Sequence, residues 1–248
     1  MNPEPAGRPE PGPGHFRTTR WSAVLLAGRD SQAGAREALE DLCRSYWYPL
    51  YAFARRKGAS HENAQDLVQG FFGQLLARGD LAGVNPDKGR FRTFLLTSFS
   101  HFQANEWHKV RAQKRGGQAE ILSLDADPDS RYLAESASAV PDPESLYDRA
   151  WARQVLGSVL SRLRQETVRE GGTDRFDVLK IYLLGEKGGP SYAELATRFG
   201  TTEIAIKSAV HRLRQRLKTL FREEIARTVA SEAEIDDELR HLIRIMAS

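Results

Sequence analysis

The stretch SYAELATRFGTTEIAIKSAVHRLRQRLKTLF, from Ser191 to Phe221, decides the fold. Ser191 is suited to cap a short helix in which Ala193, Leu195 and Ala196 are small or apolar and face a core. Gly200 supplies a tight turn, and Thr201 or Thr202 caps a second helix. On that helix Ile204, Ile206, Val210, Leu213 and Leu217 recur at helical spacing and are expected to point inward. The outward set at its start and along it is Thr202, Glu203, Lys207, Ser208, His211, Arg212 and Arg214. Helix, glycine-containing turn, helix is the arrangement whose second helix enters a DNA major groove. Donors and cations on an outer face suit base edges and phosphates. The alternative for the same pattern is an ordinary helical hairpin with a charged outer face.

A second stretch, HFQANEWHKVRAQKRGG from His101 to Gly117, alternates aromatic and amide side chains, gathers Lys and Arg, and stops on two glycines. Charge around it is asymmetric. Lys88, Arg90, Arg92, Lys109, Arg111, Lys114 and Arg115 face only Asp87 and Glu106, whereas the next segment carries Glu120, Asp125, Asp127, Asp129, Glu135, Asp142, Glu144 and Asp148 against Arg131 and Arg149. A late basic block follows, with Lys207, Arg212, Arg214, Arg216, Lys218 and Arg222. Two basic patches around an acidic spacer suggest two modules on one polyanion. Two solvated helix faces and a soluble connection explain the same charges.

Helical periodicity accounts for the rest. Trp21, Val24, Leu25 and Gly28 follow a Thr cap; Ala38, Leu42, Tyr46, Leu50 and Phe53 share a face of a helix that ends at Gly58. Pro49 inside that pattern is expected to kink or divide the helix. Ser60 caps a helix with Leu67, Val68, Phe71, Phe72, Leu75 and Leu76 as its stripe, and the next helix carries Phe91, Phe94, Leu95, Phe99 and Phe102. With no alternating strand pattern, the expected class is all-α. Two small helical domains are expected, over residues 17–118 and 149–228. A Pro- and Gly-rich disordered leader over 1–16, an acidic flexible linker over 119–148 and a helical tail over 229–248 complete the division.

Composition narrows the function classes. The 248 residues are 28% charged with a net charge of +3, and mean hydropathy is −0.51. No apolar run approaches the length of a membrane helix, so membrane insertion is not expected. Cys43 is the only cysteine, which excludes an intrachain disulfide and fits a cytoplasmic location. No His, Cys and carboxylate set has metal-ligand spacing. Asp125, Asp127 and Asp129 imitate the opening of a calcium loop, but Ser130 stands at the glycine position and Ser136 at that of the bidentate Glu. No nucleophile with a base and no phosphate loop is found, so neither an enzyme nor a cofactor is expected.

Ser191–Leu217 resembles region 4 of bacterial sigma factors of the extracytoplasmic-function group, and YWYPLYAFARRKGASHENAQDLVQGFFGQLL, Tyr46 to Leu76, is similar to their region 2. Together the two motifs cover roughly residues 17–228. The resemblance implies a factor that binds core RNA polymerase and directs promoter recognition. The helix after Thr202 reads an upstream element as duplex, while region 2 holds the melted strand of a downstream element. Phe102 and Trp107 would stack on bases, His101, Gln103 and Asn105 would meet base edges, and Lys109, Arg111, Lys114 and Arg115 would hold phosphates. Gln65, Asp66 and Gln69 match the helix that docks on polymerase. The resemblance also allows an anti-sigma partner. Ser100, His101 and Asn105 stand where many members carry an Arg-Asn pair and then Asp, and the usual Leu-Pro before the second motif is lacking, which looks like an atypical subgroup. A helix-turn-helix regulator that binds duplex DNA without polymerase is the competing reading. The tail, with Ile235, Leu239, Leu242, Ile243 and Met246 on one stripe, packs back on the second domain, binds a regulator or masks the recognition helix.

Overall fold

A computed structural model describes residues 33–77, 90–112, 127–136, 142–169, 173–185, 188–229 and 231–247. These form α1 (Ala33–Arg56), α2 (His61–Ala77), α3 (Phe91–Ala112), α4 (Pro128–Ser136), α5 (Pro143–Arg169), α6 (Thr173–Leu183), α7 (Tyr192–Arg198), α8 (Glu203–Ala226), a 3-10 turn at Glu232–Glu234 and α9 (Ile235–Ala247). There is no strand among the described residues, so the all-α expectation holds. None of these helices is long and apolar enough to cross a membrane. The expected leader and the helix around Trp21 lie outside the described residues.

Pro49 does not divide α1. It removes one rung of the helix ladder, a cost of about 3 kcal/mol. Yet Tyr46, Leu50, Tyr51, Ala52 and Phe53 around it are all 0% exposed. Each large side chain among them contributes about 1.5–3 kcal/mol by burial, so packing outweighs the missing rung. Ser60 caps α2 as expected, accepting from the Asn63 amide at 3.2 Å. Phe71 of α2 packs edge-on to Phe99 of α3, with ring centroids 5.3 Å apart, and tilted against Phe102 at 5.8 Å. Gly70 lies against that contact, where a Cβ would sit a tight 3.3 Å from the Phe102 ring.

The expected division into two domains and a flexible acidic linker differs from the packing of the described residues. One core runs through α1, α2, α3, α5, α8 and α9, from Leu42 to Leu242, and a smaller cluster lies under α7 and α8. The face of α5 made by Leu146, Tyr147, Trp151 and Val155 is buried, and the main helix partner of α5 is α1. Within the expected linker lie α4 and the first turns of α5. Asp129 of α4 pairs with Arg55 of α1 at 3.0 Å and accepts from the Tyr51 hydroxyl at 3.0 Å. Tyr132 is buried beneath the Arg55 guanidinium, 5.0 Å from its ring centroid, and Arg131 stacks 3.5 Å from the Tyr48 centroid. Asp127 and Asp142 accept from Ser130 and Ser145 at the starts of α4 and α5. Among the described residues, Asp127 and Asp142, which read as a solvated spacer, are therefore helix caps, and Asp129 is a partner for a cation of the first half.

The tail closes the structure through a buried charge. Glu238 of α9 is 0% exposed, and its Oε1 accepts from Arg92 Nε at 2.6 Å. Arg90 Nε lies 2.9 Å from the other carboxylate oxygen. Arg92 also binds Asp148 of α5 and lies 5.2 Å from the Trp151 ring centroid, while His241 meets Asp148 at 3.1 Å. The Phe91 amide donates to the Thr228 carbonyl at 3.2 Å, and the Tyr147 hydroxyl donates to the Arg92 carbonyl at 3.0 Å. The start of α3 is thus held by residues from α5, α9 and the end of α8. Burial works against the charge on Arg92, but Asp148 and Glu238 more than offset it and raise its pKa.

Removing one partner of such a pair strands a buried charge, which typically costs about 3–5 kcal/mol. Glu238→Ala and Arg92→Met should each lower the unfolding free energy by roughly that amount in urea titrations. The double variant should lose clearly less than the sum; additive losses would show that the two side chains are not coupled.

Candidate nucleic-acid interface

The helix-turn-helix is assembled by local hydrogen bonds that the sequence encodes directly. Ser191 Oγ accepts from the Glu194 amide at 3.2 Å, and Glu194 Oε2 accepts from the Ser191 amide at 2.6 Å, a complete capping box for α7. The Ser191 backbone N–H and then its hydroxyl hold the Glu194 carboxyl below the usual carboxylate range. At the other end Gly200 adopts φ +59°, with Thr201 N donating to the Ala196 carbonyl at 2.9 Å and Gly200 N to that of Thr197 at 3.3 Å. This pair of bonds is a Schellman stop, and the left-handed φ is why glycine stands there. Thr202 starts α8 by accepting from the Ala205 amide at 3.2 Å.

Two helices anchored on one small core then present a face. Leu195 and Ala196 of α7, Ile206 and Val210 of α8, and Leu179 of α6 are buried together. Opposite them Glu203, Lys207, Ser208, His211 and Arg212 are exposed. Lys207, Ser208, His211 and Arg212 are among the α8 residues that, with Tyr192, line an open groove of about 530 Å³. Lys207 pairs with Glu203 at 2.7 Å across one exposed helix turn. A pair so exposed is worth less than about 1 kcal/mol, so a phosphate can replace the Glu203 carboxylate at little cost.

Four assignments change. Ala193 of α7, expected to face the core, is exposed. Ile204, expected inward, is 77% exposed. It lies two residues before Ile206, which turns it about 200° from the buried stripe. Arg214, expected to face DNA, lines the groove but donates to the Tyr182 carbonyl through Nη2 at 2.7 Å and Nε at 3.2 Å. It secures the last turn of α6. Thr202 is exposed, but its hydroxyl oxygen is engaged as the cap. Arg216 of the late basic block grips Glu166 with Nε at 2.7 Å and Nη2 at 2.8 Å, so it serves the contact of α8 with α5.

The predicted single-strand site is only partly assembled by α3. His101, Asn105 and Trp107 are exposed, Trp107 at 53%. Phe102 belongs to the core, and Gln103 is 7% exposed, with no hydrogen-bond partner for its Nε2 among the described residues. Gln103 follows Phe99 by four residues, which places it on the core face whatever its polarity. Phe102 and Gln103 are therefore withdrawn as stacking and base-edge groups. Lys109 and Arg111 fall on the last turns of α3, while Lys114 and Arg115 lie outside the described residues. Arg90 and Arg92, counted in the first basic patch, are committed to Glu238.

Of the predicted polymerase contacts on α2, Asp66 is exposed, Gln69 is half-buried and Gln65 is only 6% exposed. Gln65 lies three residues before buried Val68, so helical phase again draws an amide inward. Tyr192 was missed by sequence reasoning; it packs against the small core, 5.2 Å from the Tyr182 ring centroid, and forms a wall of the groove. Its position directly after the Ser191 cap is the local signal that fixes it there. No three His, Cys, Asp or Glu side chains are grouped as metal ligands among the described residues.

The two arginines on α8 should separate in a stability measurement. Arg214→Ala removes hydrogen bonds to a helix-end carbonyl and should cost about 0.5–1.5 kcal/mol, whereas Arg212→Ala should fall within about 0.5 kcal/mol of the parent. Equal costs in chemical denaturation would contradict the assignment of Arg214 to structure and Arg212 to a free face.

No protein-family model matches the chain, and neither a curated protein nor a solved structure matches it. The functional reading rests on its own residues.

Proposed function

We propose that this chain is a cytoplasmic promoter-specificity factor of the sigma type, which binds core RNA polymerase and directs it to promoter DNA. The observation that carries this reading is the exposed face of α8, with Lys207, Ser208, His211 and Arg212 presented by a capped and glycine-turned helix pair. Its width as one helix suits a major groove, and its side chains suit phosphates and base edges. The tail does not cover this face: α9 packs on α5 and α8 and pairs Asp236 with Arg222, well along α8. Of the three roles open to the tail, this favours packing back over masking.

The first half supplies the second contact. Trp107 stands exposed on α3, followed by Lys109 and Arg111. An exposed indole with cations close by in sequence suits an unpaired base and its backbone, with each stacked base worth about 1–3 kcal/mol. Asp66 remains available on α2 to dock polymerase. In this role the chain does no covalent chemistry and needs no cofactor; polymerase performs the reaction, and an anti-sigma partner would act by occupying one of these faces.

A regulator that binds duplex DNA without polymerase is the second reading, favoured by the burial of Gln65 and Gln103. Transcription reconstituted from sigma-free core polymerase, this chain and a supercoiled genomic library distinguishes them. The proposal predicts discrete start sites that require the chain. Trp107→Ala should slow open-complex formation by roughly 5- to 100-fold, the loss of one stacked base, with duplex affinity kept. Duplex binding without any chain-dependent initiation would leave the regulator.

A further inference from the structure

Ile204 is a large apolar side chain on the recognition face whose chemistry the promoter reading leaves unused. At about 100° per residue, Ile204, Ser208, His211 and Gln215 fall along the centre line of the outward face of α8. Buried Ile206 and Leu217, with half-buried Leu213, lie on the opposite side. Lys207 and Lys218 flank that line on one side and Arg212 on the other. A large apolar side chain 77% exposed in the middle of a cationic face has no partner in the small core, since Ile206 and Val210 already fill the side of α8 that meets Leu195.

Its place along the helix matters as much. Thr202 is the cap, so Ile204 is the second residue of α8, and the Cα–Cβ bond of a helical residue tilts toward the N-terminus. Ile204 therefore projects beyond the first turn, the part of a recognition helix that meets base edges. Ser208, one turn later on the same line, is exposed and brings a hydroxyl beside it. In the major groove an A·T pair differs from a G·C pair by one apolar feature, the thymine C5-methyl, with the O4 acceptor next to it. An isoleucine and a hydroxyl one turn apart match that pair of features.

Resting on the promoter reading above, we infer that Ile204 is a specificity-determining residue that reads a thymine C5-methyl in the duplex element, with Ser208 meeting the adjacent acceptor. Neither residue contributes general affinity; the cations around them do. Ile204 selects where the helix settles.

Deoxyuridine tests this because it differs from thymidine only by that methyl. Duplexes are selected from a random 20-base-pair pool by the full-length chain, alone and bound to core polymerase, and each thymidine of the selected sequence is then replaced singly. At one position the parent should bind the deoxyuridine duplex about 3- to 5-fold more weakly, the effect of burying one methyl group. Ile204→Ala should bind the two duplexes equally, and because the side chain is exposed this variant keeps its fold. Sensitivity at no thymidine, or the same sensitivity in Ile204→Ala, overturns the inference and leaves duplex recognition standing. Loss of polymerase co-elution in Ile204→Ala without any methyl effect overturns it too, and assigns the side chain to a protein contact. Failure to enrich any duplex in either form removes the promoter reading and this inference with it.

Discussion

A carboxylate without exposed surface cannot remain charged unless its surroundings compensate for lost water. Glu238 satisfies this between Arg90 and Arg92, and Arg92 in turn holds Asp148. Three helices distant in sequence therefore meet at one point: the start of α3, the start of α5 and the first turn of α9. The interaction spans 146 residues between Arg92 and Glu238, so it forms only when both halves of the chain are in place. Its net contribution to stability is modest compared with a packed apolar contact of the same volume, but removing one partner alone leaves a buried charge uncompensated. It ties the start of α3 to α5 and α9.

Several cations among the described residues fall into two groups. Arg55, Arg90, Arg92, Arg214 and Arg216 are consumed by acids and carbonyls of other helices, while Lys207 and Arg212 stand on an open face. A modest overall charge thus conceals a clean division between structural and available cations. The engaged group adds little to polyanion affinity, since only a cation that can exchange its partner for phosphate releases counterions.

How much of this was legible in the sequence follows from the range of each interaction. The Ser60, Ser191 and Thr202 caps and the Gly200 stop were legible because each is closed by hydrogen bonds within five residues. The all-α class was legible from helical spacing. The pairing of the acidic stretch with α1 was not, because charge counted along a chain does not say which distant cation will be near. Gln65 and Gln103 were misplaced for a different reason: polarity suggested the surface, yet both sit three or four residues from a buried core side chain, and helical phase prevailed. Ile204 is the converse, an apolar residue that phase turns outward. Where polarity and phase disagree in this chain, phase decides the burial of all three.

The account stands on the chain being a partner of RNA polymerase, and co-elution with sigma-free core polymerase tests that most directly. Parent chain should elute with the core at micromolar concentrations, and an Asp66→Lys variant, changed at an exposed position of α2, should elute alone with its fold intact. A full-length parent chain that never leaves the position of the free protein would contradict the account.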